Sequence, residues 1–317
     1  MTPWPQGFLV GHHTDVEGAT GCTVILPPQG TVAVMDVRGG GASTMHTELL
    51  AVESPFAGIT ALLFTGGSAL GLAAVDGVVD WCAEHGLGYD VAVTRVPIVP
   101  AAVIFDLGIG GGPRRPGPEA GRAACEAAVE TPPARGSVGA GTGATVGKLF
   151  GQAGWCKGGV GLASATGRDG VTTAVLVVVN AFGDVLDETN QVLAGAWRDG
   201  EGFVDARRAV TEIIPAHPRI PDITNTTLAV AMTDAALTKP EAAQVARMVS
   251  SGVARAVVPV HTPIDGDVSF TLAGGQRPTS AFAVGMVAAT LTETAIRDAV
   301  RSATAVRGVP TGADRRG

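Results

Sequence analysis

The chain has 317 residues, enough to bury a core in one large domain or two small ones. Hydrophobic residues make up 46% and charged residues 16%, which excludes a disordered chain. A net charge of −7, with Arg114–Arg115 as the longest basic cluster, argues against nucleic acid as a partner, and no apolar run approaches the ~18 residues that span a bilayer.

Met1-Thr-Pro-Trp-Pro5 carries neither a positive n-region nor a long apolar h-region, so no secretory signal is read and a cytoplasmic location is expected. Cys22, Cys82, Cys125 and Cys156 lie far apart without a CxxC, which fits buried thiols better than a disulfide or zinc site. With 45 glycines and only 4% aromatics, the core must be built from Val, Ala, Leu and Ile around tight turns.

Residues Cys22–Leu26, Val32–Val37 and Ile59–Phe64 read as strands, and Ser68–Glu84 as a helix with Leu70, Ala74, Val78 and Trp81 near helical spacing. Tyr89–Val96 and Ala101–Phe105 read as strands, and Pro118–Val129 as a helix opened by Pro118 and Glu119. Val171–Val179 is apolar almost throughout after Thr173, the pattern of a strand buried on both faces. Residues 200–224, with Pro215, Pro218 and Pro221, read as an exposed irregular connection. Beyond it come a strand Thr226–Met232, a helix whose Thr238 and Glu241 have capping-box spacing, a strand Val268–Ala273 and a helix from about Ser280 to Ser302. The succession predicts a layered α/β or α+β architecture.

Gly139-Ala-Gly-Thr-Gly-Ala-Thr-Val-Gly-Lys148 invites comparison with a phosphate-binding loop, but that motif needs glycine where Thr142 stands and Ser or Thr where Leu149 stands. The glycines instead mark backbone passing close to something. Lys148 is one of three lysines, with Lys157 and Lys239, and reads either as a surface residue or as a cation held in a cleft. Gly66-Gly-Ser-Ala-Leu70 lacks the last glycine of a nucleophile elbow, so Ser68 reads first as a helix N-cap and second as a rival hydrolase nucleophile. Gly11-His-His-Thr-Asp15 offers metal-ligand types, but adjacent histidines on a strand face opposite ways, and no metal or other cofactor is expected.

Ile223-Thr-Asn-Thr-Thr-Leu228 is the most informative stretch, since a Pro-punctuated loop ends there and a buried strand begins at once. It also fits a glycosylation sequon or a plain turn. Its placement lets a threonine hydroxyl reach back to the preceding carbonyl. An internal threonine has no base, but a chain end supplies an α-amine of pKa about 7.7–8.0 on the same residue. Cleavage between Asn225 and Thr226 would therefore create a nucleophile with its own base. In His261-Thr-Pro-Ile-Asp-Gly-Asp267, Asp265 and Asp267 at i and i+2 point one way on an extended segment, either toward a cationic amine or as a polar turn. Asn180 at the tip of the buried strand reads as an oxyanion donor or as a strand-ending turn.

Together these stretches resemble the DmpA-like L-aminopeptidase/D-esterase family, peptidase family S58, which includes nylon-oligomer endohydrolases and β-aminopeptidases. The resemblance runs through Gly11–Val24, Thr65–Leu72, Gly139–Lys148, Val178–Asp184, Asn225-Thr-Thr and Asp265-Gly-Asp. It implies an α+β fold, a four-layer αββα sandwich similar to N-terminal-nucleophile hydrolases with ornithine-acetyltransferase-like connectivity. It implies self-cleavage into an α fragment, 1–225, and a β fragment, 226–317, that stay together and assemble as a homo-oligomer of αβ units. Thr226 matches the family's nucleophile, Lys148 and Asn180 its helpers, and Asp265 and Asp267 its acidic pair. The implied activity is hydrolysis of small peptides or amide oligomers, such as 6-aminohexanoate oligomers, through an acyl-enzyme on Thr226. A binding protein without turnover remains the alternative from another class. One departure stands out: several members have tyrosine where this chain has Phe105, and a phenyl ring donates no hydrogen bond.

Overall fold

In the computed structural model, residues 2–56, 58–109, 114–212 and 225–317 are described. In chain order the elements that build the frame are β1 (Leu9–Asp15), β2 (Thr20–Leu26), β3 (Val32–Val37), β4 (Thr44–Met45), β5 (Leu62–Thr65), α1 (Ala74–Glu84), β6 (Ala101–Val103) and α2 (Pro118–Glu126). They continue with β7 (Gly159–Thr166), β8 (Thr172–Asn180), β9 (Thr226–Ala236), α3 (Lys239–Ala256), β10 (Val268–Pro278) and α4 (Ala281–Arg301).

Two five-stranded sheets form, ordered β1-β2-β5-β6-β4 and β7-β8-β9-β10-β3. In each, one pair is parallel, β5 with β6 and β9 with β10, and the rest are antiparallel. The second sheet interleaves distant parts of the chain, because β9 and β10 lie between β8 and β3. Every residue of β8 is buried, as its apolar run predicts. Alternate residues diverge: Val175, Val177 and Val179 pack with Ala229, Ala231 and the buried faces of α3 and α4. Leu176 and Val178 pack with Leu228, Val230, Phe270 and, from the first sheet, Ile25, Leu62 and Phe64. A third cluster joins the outer face of the first sheet, Cys22, Val24 and Leu63, to Val75 and Val78 of α1 and Ala124 of α2. Burying one such aliphatic side chain contributes about 1.5–3 kcal/mol, so these clusters dominate stability.

The predicted strand Val32–Val37 forms with the same bounds, and Thr238 and Glu241 make both halves of the capping box that opens α3. Three predictions need correction, and one strand was not predicted at all. Tyr89–Val96 is not one strand but a tight hairpin of Tyr89–Asp90 with Arg95–Val96, its turn passing through Ala92 at φ 70°. The helix predicted from Ser68 begins at Ala74, preceded by a 3₁₀ segment Ser68–Ala73 whose cap position is Gly67 at φ 80°, so Ser68 is not the cap. Residues 200–212 are not irregular, since Gly202–Phe203 pairs with Trp197–Arg198 and Ala206–Glu212 is helical. The Asp184 carboxylate organises this region by accepting the N–H groups of Ala196 and Ala206, both at 2.8 Å. Pro215, Pro218 and Pro221 lie outside the described residues. The unpredicted strand is β7. Its glycines face helix backbone: a Cβ on Gly161 would stand 1.9 Å from the Ala295 carbonyl oxygen of α4.

All four cysteines are buried and free. Among the described residues no helix is long and apolar enough to cross a membrane.

Candidate active site

The polar residues singled out in the sequence are buried and converge. Thr226, Lys148, Asn180, Asn225, Asp265 and Asp267 are each at most 7% exposed. Buried polar groups need partners, and here the partners are one another. β8 and β9 are antiparallel neighbours with Asn180 opposite Thr226, so the tip of the apolar strand lies beside the first residue of the next. Lys148 donates from Nζ to the Asn180 backbone oxygen at 3.0 Å and to Asn180 Oδ1 at 2.9 Å. Asn180 Oδ1 also accepts the Thr145 N–H at 3.0 Å, and Asn180 Nδ2 donates to the Phe105 carbonyl at 3.2 Å. Phe105 thus meets the cluster through its backbone. The glycines before Lys148 allow the close approach: Gly147 sits at φ 71°, and a Cβ there would stand 2.0 Å from the Gly195 carbonyl carbon.

Burial pushes the Lys148 ammonium down to about 7, with Lys157 pushing the same way and Asp265 and Asp106 pulling against them. Lys157 is fully buried and donates to the carbonyls of Thr142 and Ala144 at 2.8 and 2.6 Å, which pins the turn leading to Thr145.

On the other side of Thr226 lies the acidic loop. The Thr226 hydroxyl donates to the Asn225 carbonyl oxygen at 2.5 Å, and the Gly266 N–H donates to the same oxygen at 2.7 Å. Asp267 Oδ1 accepts the Thr227 N–H at 2.6 Å, while Oδ2 accepts from the His261 N–H at 3.1 Å and lies 2.8 Å from His261 Nδ1. Asp265 Oδ2 accepts from the Thr262 N–H and hydroxyl at 2.9 and 2.6 Å. Burial pushes the Asp265 carboxyl up, and the neighbouring Asp267 adds to that. Gly39 and Gly41 close the loop from β3, donating to the carbonyls of Asp267 and Asp265 at 3.2 and 2.8 Å.

Sequence reasoning found six residues of this cluster but missed Gly266 and His261, although both lie inside the heptapeptide read for its two aspartates. Ser68 lies elsewhere, at φ 53°, and among the described residues no hydrogen bond joins its hydroxyl to a base. The His12 ring, 2.9 Å from Thr23 Oγ1 and 3.2 Å from the Ala134 carbonyl oxygen, is pushed down to about 4 by burial, which disfavours its charged form. Among the described residues no group of three or more metal-ligating side chains of His, Cys, Asp or Glu occurs.

The profile of peptidase family S58 matches residues 6–312. The chain belongs to peptidase family S58. As a member of that family it is a hydrolase of peptide or amide bonds. It is 40% identical over 336 residues to an uncharacterized aminopeptidase of Mycobacterium tuberculosis, covering 96% of this chain and 94% of the relative. It is 30% identical over 273 residues to the 6-aminohexanoate-oligomer endohydrolase of Paenarthrobacter ureafaciens, covering 84% and 72%. Among solved structures, a β-aminopeptidase of Burkholderia sp. superposes with a TM-score of 0.71 at 22% identity, over 97% of this chain and 89% of that one. The L-aminopeptidase D-Ala-esterase/amidase of Ochrobactrum anthropi, described as a variant of the Ntn hydrolase fold, gives 0.70 at 18% identity, over 94% and 85%. At these identities the likeness establishes the fold, a mixed α/β arrangement shared with Ntn-type aminopeptidases.

Proposed function

We propose that this S58 hydrolase cleaves itself between Asn225 and Thr226 and then uses Thr226 as its nucleophile. The observation that carries the reading is the Thr226 hydroxyl, 2.5 Å from the oxygen of its own preceding carbonyl, which also accepts the Gly266 N–H. In the uncut chain Thr226 Oγ adds to the Asn225 carbonyl carbon, and the Gly266 N–H holds the oxygen as negative charge develops on it. The C–N bond breaks, its nitrogen takes the proton lost by the hydroxyl, and an ester links Asn225 to Thr226 Oγ. Water hydrolyses the ester, leaving a carboxylate on Asn225 and a free amine on Thr226. That amine then takes the hydroxyl proton when Thr226 attacks a substrate amide and returns it to the leaving amine. An acyl-enzyme forms, and water releases the acid.

Asn180, the strand partner of Thr226, holds Lys148, and Lys148, pushed down to about 7, would exchange a proton near neutral pH. Asp265, bridged to Asn225, and Asp267, which accepts the Thr227 N–H, hold the backbone on either side of Thr226 and would orient the new amine. The three apolar clusters support an αββα layering, with helices outside both sheets. The fragments 1–225 and 226–317 would share one sheet, and the αβ units are proposed to assemble as homo-oligomers. Substrates are proposed to be short peptides or amide oligomers with a free amine, including the 6-aminohexanoate type acted on by a relative.

Intact mass under denaturing conditions decides the central step. Two fragments meeting at 225/226 are expected for the wild type and one chain for Thr226→Ala. A single chain in both would refute it.

A further inference from the structure

His261 is the charged-site residue that the reaction above leaves unused. Its backbone occupies the left-handed region at φ 56°, uncommon for a residue with a side chain. In that conformation both its N–H and its ring turn onto one oxygen, Asp267 Oδ2, at 3.1 and 2.8 Å. The other ring nitrogen, Nε2, lies 3.3 Å from the Ser250 carbonyl oxygen of α3. Both ring nitrogens therefore face oxygens that can only accept, and only a doubly protonated ring satisfies both. In either neutral tautomer one lone pair points at an oxygen.

Asp267 passes this on, because its other oxygen takes the Thr227 N–H at 2.6 Å, one residue beyond the nucleophile. The charged surroundings are few. Asp267 and, two residues before it, Asp265 lie on the same loop. From β3 and the residue after it come Asp36 and Arg38, paired at 2.7 Å, and the Ser250 hydroxyl donates to Asp36 at 2.7 Å. The His261 side chain is 21% exposed, so solvent protons reach the ring while the Asp267 carboxylate behind it, 3% exposed, is shielded.

We propose that His261, as its cation, is a positioning residue for self-cleavage: it locks Asp267 in the orientation that grips Thr227 and so holds the Thr226 hydroxyl against the Asn225 carbonyl. Loss of the ring proton releases one of the two ring bonds, loosens Asp267 and slows the cut. Burial acts to push the ring down, but Asp267 outweighs it, with the Ser250 carbonyl helping and Arg38 opposing, so His261 stands above the ordinary histidine value. The proposal rests on the Thr226 reading and adds a pH gate to it.

The test follows newly synthesised chain by intact mass at a series of pH values. His261→Asn suits it, because asparagine tolerates the left-handed region and still donates one N–H, yet does not titrate. The wild type is expected to cut more slowly as pH rises above neutrality. His261→Asn should cut about tenfold more slowly at neutral pH, the worth of one charge-assisted hydrogen bond, and lack that alkaline decline. An unchanged rate and pH profile in His261→Asn overturns the proposal while leaving the Thr226 reading intact. A wild-type chain uncut at every pH removes both. Independently of whether the asparagine variant folds, the His261 ring can be titrated by NMR in the uncleavable Thr226→Ala chain. A midpoint above ~6.5 is expected, and one below it overturns the proposal.

Discussion

Gly266→Ala tests the proposed self-cleavage with a single methyl group. The Gly266 backbone lies outside the left-handed region, so alanine meets no conformational penalty there. Its Cβ, however, would stand 2.8 Å from Thr226 Oγ1 and 3.2 Å from the Gly41 carbonyl oxygen. Ordinary contact begins at 3.4 Å, so 0.6 Å must be found at Thr226, and the Gly41 carbonyl is itself inside that limit. The easiest adjustment is for the threonine hydroxyl to swing away from the Asn225 carbonyl. Misplacing a reacting atom by about 1 Å costs on the order of 10²-fold, so a displacement of about half that predicts cleavage slowed by about ten- to a hundredfold. The overpacking itself costs about 1–3 kcal/mol, a loss that lowers the melting temperature by a few degrees without unfolding the chain. Intact-mass time courses of fresh chain, with a thermal melt of the same sample, separate the two effects. Cleavage at the wild-type rate in a folded Gly266→Ala chain would show that the hydroxyl does not act from this position.

Lys148→Met removes the ammonium from two acceptors on Asn180. Turnover of a small amide is expected to fall about a hundredfold, and stability by about 1–3 kcal/mol from the two hydrogen bonds lost at Asn180; an unchanged kcat would deny Lys148 a role. Lys148 and Lys157 both stand at about 7 because burial disfavours their charge, so the unfolded chain binds more protons than the folded one above that value. Their contribution to stability therefore rises as pH climbs from 7 toward ~10.4, while that of His261, raised by Asp267, is lost as pH rises through its folded value. The two lysines outweigh the one histidine, and urea midpoints should be higher at pH 9 than at pH 7. Burial pushes the thiols of Cys22 and Cys125 up to about 12 and that of Cys82 up to about 11. A thiol reagent at pH 8 should find almost no reactive cysteine in the native protein and four after denaturation; rapid native labelling would contradict this.

The sequence showed most where physics is local. Apolar runs named β3 and β8, and the Thr238/Glu241 spacing opened α3, because periodicity and capping depend on near neighbours. It failed where the partner is remote. The glycine-rich β7 looks like loop until α4 is seen lying against it, since glycine there serves the helix backbone rather than a turn. Tyr89–Val96 alternates well enough for one strand, and nothing in its composition announces the reversal at Ala92. In the site, Lys148, Asn180, Thr226, Asp265 and Asp267 were named from motifs, but what each bonds was not. Asp267 was expected to serve an amine. In the uncut chain it holds the Thr227 N–H instead, and the histidine that braces it sat six residues upstream without any pattern to mark it.

The interleaving of β9 and β10 between β8 and β3 has a consequence for handling this protein. Under the proposed cut before Thr226, the molecule would become a two-chain complex whose subunit interface is the middle of a sheet. Neither piece alone could close its interior or pair its strand edges, so separate expression should yield aggregates and joint expression a native particle. An affinity tag on either terminus would then retrieve both polypeptides in equal amounts.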